Sequence, residues 1–181
     1  MEVIAVVGMS GSGKTTTIEY LTSRLTQEGY KVGTIKHIHH TNFSIDTKGT
    51  DTWRHAHAGA MVTIAIAPKE MVIIKKTDDD THNLDRIIKF LGEEELDFVF
   101  IEGLHSLIAK KKGVFKIIVA KDAKELMMTL NGTAEPILAI TGVITKRKLE
   151  TTNINVPIID IDGEGDLLLK LVKDICLKRR K

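Results

Sequence analysis

The chain has 181 residues, 43% apolar and 28% charged. That is enough to bury roughly 70% of its unfolded surface in one domain and excludes disorder as the dominant state. Lys plus Arg number 26 and Asp plus Glu 24, a net charge of +2 with 4% aromatic residues, which argues against a nucleic-acid coat and against a base-stacking platform.

In chain order, Val3 to Val7 is a continuous apolar run, the pattern of a buried parallel strand. Residues 14–28 carry Ile18, Leu21 and Leu25 at helical spacing, with Gly29 as the stop. Lys31 to Lys36 reads as a second strand, 37–50 as a long polar loop, and Asp51 to Ala58 as a short helix. Met61 to Ala67 and Met71 to Lys76, split by Pro68-Lys69-Glu70, predict a hairpin. Asp78-Asp79-Asp80 and Thr81 open a helix carrying Leu84, Ile87, Ile88 and Leu91, closed by Gly92. Asp97 to Gly103 is a third buried strand ending in an acid and a glycine. Val114 to Ala120, Ile137 to Ile140 and Val156 to Ile161 are further strands, with helices near 122–130 and at 166–177 and a basic tail from Lys178 to Lys181. Strands alternating with helices predict an α/β fold, a mostly parallel sheet flanked by helices with a β-hairpin insertion, in one domain over 1–181.

The single cysteine, Cys176, excludes an intrachain disulfide and fits a reducing compartment. The apolar runs are shorter than a membrane span, and Val3 to Val7 is too short for a signal peptide. The expectation is a soluble, cytoplasmic protein without a membrane or nucleic-acid partner.

Gly8-Met9-Ser10-Gly11-Ser12-Gly13-Lys14-Thr15 fits G-x-x-x-x-G-K-[ST] without a gap, between an apolar strand and an amphipathic helix. Glycines let backbone N–H groups converge into an anion nest, and the following helix points its positive end at the same place. Gly11, Ser12 and Gly13 would cradle the phosphates, Lys14 reach the β and γ phosphates, Thr15 ligate Mg²⁺ and Thr16 touch the α-phosphate. Glu102, closing an apolar strand, emerges at the edge where ligands bind and is the candidate Mg²⁺-side acid. Asp46 and Asp51 are candidates to help hold Mg²⁺ or orient a water; Asp51 is alternatively the N-cap of its short helix.

Five of the seven histidines fall within 21 residues, in Lys36-His37-Ile38-His39-His40 and Arg54-His55-Ala56-His57. Three readings stand. Imidazoles suit a transition metal; Lys36, His37, Lys48 and Arg54 suit an anion near the γ-phosphate; or the histidines are structural.

The phosphate loop, Ile35 to His40, Asp46, Gly49, Asp51, Arg54, Ala58-Gly59-Ala60 and Phe98 to Gly103 together resemble the molybdopterin-guanine dinucleotide biosynthesis protein B (MobB) family, over nearly the whole chain. The resemblance implies a P-loop NTPase fold of the signal-recognition/MinD-like class and a homodimer. It implies GTP binding with weak hydrolysis, in aid of the guanylyltransferase that couples GMP to molybdopterin, with molybdopterin itself a candidate ligand. Carried over, Gly11 to Thr16 form the phosphate site, Glu102 is the Mg²⁺-side acid, and Lys36, His37, Asp46 and Arg54 are loop residues near the nucleotide. Lys14, Asp46 and Arg54 are the catalytic candidates. The chain has Gly49-Thr50-Asp51-Thr52 where the family commonly has Gly-Lys-Asp-Ser, and Glu102-Gly103-Leu104-His105 where it has Glu-Gly-Phe-Lys. Thr145-Lys146 lacks the acid of an Asn-Lys-x-Asp element, so GTP as the nucleotide follows from the resemblance. The alternatives are a metallochaperone GTPase built on the histidine loop and a small-molecule kinase, for which Lys146-Arg147-Lys148 is the lid-like loop.

Overall fold

The computed structural model describes residues 1–40, 42–76, 84–147 and 154–179. The acidic triplet Asp78-Asp79-Asp80 with Thr81, Lys148 of the lid-like loop, and Arg180-Lys181 of the basic tail lie outside the described residues.

Contacts divide the chain into two compact units, one of residues 1–37 and 85–181 and one of residues 38–84. The first unit is built on a five-stranded sheet. Its strands are β1 (Glu2–Val7), β2 (Val32–Lys36), β5 (Phe98–Glu102), β6 (Phe115–Val119) and β7 (Ile137–Thr141), in the order β2-β5-β1-β6-β7. Every pairing is parallel. β1 is flanked by strands on both sides and β5 is fully buried, which is why both read as unbroken apolar runs instead of alternating ones.

Helix α1 (Lys14–Gln27) buries Ile18, Leu21 and Leu25. They meet Phe98, Phe100, Leu168 and Val172 in one core. Helix α6 (Ile161–Arg179) lies along α1, with Arg24 Nη2 2.6 Å from Asp166 Oδ1 and Lys173 Nζ 2.7 Å from Glu28 Oε2. A further helix of this unit, α5 (Ala123–Gly132), is held at its N-terminus by two side-chain bonds. Asp122 Oδ1 accepts from the Glu125 N–H at 2.9 Å, and Glu125 Oε2 accepts from the Lys121 N–H at 2.7 Å.

The second unit holds α2 (Asp51–His57) and the antiparallel hairpin of β3 (Val62–Ala67) and β4 (Glu70–Lys75). α3 (Leu84–Leu91) follows it in the chain. The polar 37–50 segment has no regular structure in its described residues. Asp46 organises it: its Oδ1 accepts from the Thr47 N–H at 2.8 Å and from the Thr50 and Thr52 hydroxyls at 2.9 and 3.1 Å.

Three local readings change. The N-cap of α2 is Thr50, whose hydroxyl accepts from the Trp53 N–H at 3.3 Å; Asp51 is the first helical residue, where its charge meets the positive helix end. The expected strand over Val156 to Ile161 reduces to one parallel bridge, Ile158 to Ile140. Pro157 has no N–H to extend the ladder, and the helix begins at Ile161, five residues earlier than expected and with a break in helical geometry at Glu164. A one-turn helix, α4 (His105–Ile108), follows β5 where none was expected. Among the described residues, no helix is long and apolar enough to cross a membrane.

Candidate functional site

The loop of residues 8–13 leaves the carboxyl end of β1 and enters α1 at Lys14. A Cβ on Gly8 would lie 2.0 Å from the Val119 carbonyl oxygen; only glycine lets the loop start this close to β6. Ser12 is fully buried and its hydroxyl donates to the Met9 carbonyl at 2.9 Å. Its side chain therefore holds the turn, leaving backbone N–H groups as its means of meeting an anion. The Thr17 hydroxyl donates to the Gly13 carbonyl at 2.9 Å and pins the first turn of α1.

Lys14 Nζ donates to the Met9 carbonyl at 2.6 Å. Burial pulls its ammonium below the usual lysine value of 10.5, with Glu102 opposing and Lys36 and Lys121 affecting the balance. Lys121, one residue beyond β6 and Ala120, donates to the Ser10 carbonyl at 3.1 Å. Sequence reading missed it. Like Glu102, Lys121 is a charged residue leaving a buried strand at the carboxyl edge of the sheet, a signal legible in the sequence.

Glu102 is the last residue of β5, beside Lys36, the last residue of β2, in parallel register. Its side chain is 9% exposed and its carboxylate is ion-paired with Lys36 Nζ. Both carboxylate oxygens lie 3.2 Å from the Thr15 hydroxyl. The His37 N–H donates to the Glu102 carbonyl at 2.9 Å and carries the chain out of β2. Thr15, Lys36 and Glu102 form one end of a groove of about 590 Å³ whose walls include Ile18 and Ile35. Thr16 lies on the other flank, on a cavity of about 220 Å³.

Of the sequence candidates, Lys14, Thr15, Lys36 and Glu102 are thus brought together from three elements. Asp46 and Arg54 belong to the 38–84 unit. There Arg54 Nη1 lies 3.4 Å from Asp51 Oδ1, and Trp53 stacks on His57 with ring centroids 4.5 Å apart. Among the described residues no group of three or more His, Cys, Asp or Glu side chains is arranged to hold a metal.

The family model of molybdopterin guanine dinucleotide synthesis protein B (MobB) matches residues 3–142. A Methanocaldococcus jannaschii relative is 36% identical over 122 residues, 67% of this chain and 48% of that protein, so the chain spans about half the length of that relative. The molybdopterin-guanine dinucleotide biosynthesis adapter protein of Haemophilus influenzae is 31% identical over 137 residues, 76% of this chain and 72% of that protein. The crystal structure of Bacillus subtilis MobB superposes with a TM-score of 0.75 at 26% identity, covering 96% of this chain and 97% of that one. The shared architecture is a P-loop NTPase-like α/β fold, and its match extends through the loop, α1, the β2 end and the β5 acid described above. On the family match and on this agreement of fold, the chain belongs to the MobB family of molybdopterin-guanine dinucleotide biosynthesis.

Proposed function

We propose that the chain binds GTP with Mg²⁺ at its phosphate loop. In this reading it serves as the accessory protein of the guanylyltransferase that attaches GMP to molybdopterin, and hydrolyses GTP slowly on its own. The observation that carries the reading is the meeting of Thr15, Glu102 and Lys36 at the mouth of the loop. A hydroxyl and a carboxylate are the hard oxygen donors that Mg²⁺ takes beside phosphate oxygens, so the residues present fit the ion. Thr15 would hold it directly and Glu102 through the waters it keeps. When bound, Mg²⁺ neutralises charge on the β and γ phosphate oxygens.

The chain's own residues do the rest. Lys14 exchanges the Met9 carbonyl for the phosphates, and Lys121, bonded to the neighbouring Ser10 carbonyl, adds positive charge to the loop. Lys36 and His37 stand at the γ-phosphate end. The reading includes a homodimer. It is supported by the hairpin, where Ile64, Ile66, Met71 and Ile73 are 53%, 82%, 60% and 43% exposed on paired positions of one face, an apolar patch of the kind that marks an interface.

Calorimetric titration with GTP and ATP, with and without Mg²⁺, tests the binding. Adding the chain to a purified guanylyltransferase with GTP and molybdopterin tests the role. Stoichiometric, Mg²⁺-dependent GTP binding and faster dinucleotide formation are expected. Absence of GTP binding, or an unchanged rate of dinucleotide formation, overturns the proposal.

A further inference from the structure

We propose that the cavity of about 220 Å³ beside the phosphate loop is the nucleobase pocket, and that Asp160 is the residue that selects guanine. The inference rests on the nucleotide reading above and names the specificity determinant of that same site.

The cavity begins at Gly13 and Thr16, runs past Gly142 and Val143 at the carboxyl end of β7, and is closed by Asp160 and Asp162 at the start of α6. It is joined to the phosphate loop through backbone. The Val143 N–H donates to the Ser12 carbonyl at 3.4 Å, and the Ile144 N–H to the Ala120 carbonyl at 3.0 Å. A Cβ on Gly142 would lie 2.6 Å from the Ser12 carbonyl oxygen. A nucleotide with its phosphates on residues 11–15 leaves that loop over Thr16, and the cavity opens there.

In sequence Thr145-Lys146 is followed by Arg147 and Lys148, with a lysine at the position where an Asn-Lys-x-Asp element carries its acid. The fold supplies two acids from fifteen and sixteen positions further on. The Thr145 hydroxyl, which donates to the Gly142 carbonyl at 2.8 Å, lies 3.2 Å from Asp160 Oδ1, and Lys146 Nζ pairs with Asp162 Oδ2 at 2.6 Å. Asp160 is placed by the sheet. The Ile140 N–H donates to the Pro157 carbonyl and the Ile159 N–H to the Ile140 carbonyl, each at 2.8 Å, so Asp160 follows directly on a residue held against β7.

A carboxylate accepts and cannot donate, with about four lone-pair sites. Among the described residues, the groups facing the Asp160 carboxylate, the Thr145 hydroxyl at 3.2 Å and the Asp162 N–H at 3.4 Å, both face Oδ1. The remaining acceptor sites match the adjacent N1–H and 2-amino donors of guanine. Adenine presents a lone pair at N1 and no 2-amino group, so acceptor would face acceptor. A site built to satisfy such donors rejects the base lacking them. Asp162, 71% exposed and paired with Lys146, sits at the rim, where the lysine stem can cover an apolar base face.

The test is Asp160→Asn in the full chain, titrated with GDP, IDP, XDP and ADP. Asparagine is nearly isosteric with aspartate and keeps an acceptor for the Asp162 N–H. It replaces one acceptor with an NH₂ donor, the complement of the 2-oxo group of xanthine. The expected result is a loss of about 10- to 100-fold in GDP affinity and a gain for XDP that reverses their order, and this gain shows that the variant is folded. A variant that keeps the wild-type order overturns the inference, as does a reversal produced by Asp162→Asn and not by Asp160→Asn. A wild type that binds ADP as tightly as GDP also overturns it. A wild type that binds none of the four overturns the nucleotide reading itself, a result distinct from the others.

Discussion

Thr15 and Glu102 are 87 positions apart in the chain, and the threonine hydroxyl lies 3.2 Å from both oxygens of the glutamate carboxylate. The contact exists because β1 and β5 are parallel neighbours in register from Glu2 with Phe98 to Val6 with Glu102. That register brings the end of β5 level with the start of the loop that β1 feeds.

Glu102→Gln therefore removes one charge from the Mg²⁺ side and little else, since Lys36 is half exposed and solvent can take over its ammonium. Replacing a carboxylate that supports a bound metal typically costs 10–100-fold in metal affinity. We expect a Mg²⁺-dependent GTP affinity weaker by about tenfold, with metal-free GDP binding unchanged. Titrations with and without Mg²⁺ read this; an equal loss in both would assign Glu102 to folding.

Lys14→Ala should cost up to about 100-fold in nucleotide affinity, the scale of a charge-assisted hydrogen bond of up to ~3 kcal/mol. Circular dichroism should show the same fold, because Nζ donates to the loop's own Met9 carbonyl. Undiminished GTP binding would place the phosphates elsewhere.

Turnover of GTP by the chain alone should be far below about 1 s⁻¹, the lower end of typical enzymes. An arginine finger is worth roughly 10³–10⁵ in rate, and Arg54 is 70% exposed and paired with Asp51. Phosphate release assays should show the rate rising with the guanylyltransferase and pterin present. Many turnovers per second without a partner would mark an autonomous enzyme.

The apolar hairpin face predicts its own variant. Ile66 is 82% exposed opposite Met71. Leaving such a side chain in water instead of burying it forgoes about 1.5–3 kcal/mol. Sedimentation velocity should find wild type dimeric at micromolar concentration and Ile66→Asp monomeric. A dimer that survives the substitution would move the interface off the hairpin.

Lys116, fully buried in β6, donates to the Lys111 carbonyl at 2.8 Å. Burial holds its ammonium below the usual 10.5, opposed in part by Glu135. Between its folded value and 10.5 the unfolded chain binds more protons, so stability rises with pH through that window. Lys116→Met should melt above wild type at pH 7, with the gap narrowing toward pH 10. A constant gap would show that the lysine's charge is not the cause.

Much of this molecule is written in short stretches of its sequence. The eight residues from Gly8 to Thr15 state their own chemistry, because a phosphate nest is made of consecutive backbone groups. The apolar runs at Val3 to Val7 and Phe98 to Ile101 state that they are buried strands, and Pro68-Lys69-Glu70 states a turn. Each needs only neighbours along the chain. The order β2-β5-β1-β6-β7 was not written there, since parallel strands meet through crossovers that local periodicity does not encode. Only that order makes Lys36 and Glu102 neighbours, turns Lys121 onto the Ser10 carbonyl, and brings Asp160 to Thr145. The strand expected at Val156 to Ile161 failed for a related reason: apolar residues permit a strand, but Pro157 and the backbone of β7 decide how many ladder bonds form. Sequence by itself determined that there is a phosphate loop and an α/β sheet to carry it. The tertiary structure alone decided which distant charges surround that loop, because side chains that meet across parallel strands are set by register, a relation between segments and a property of none of them.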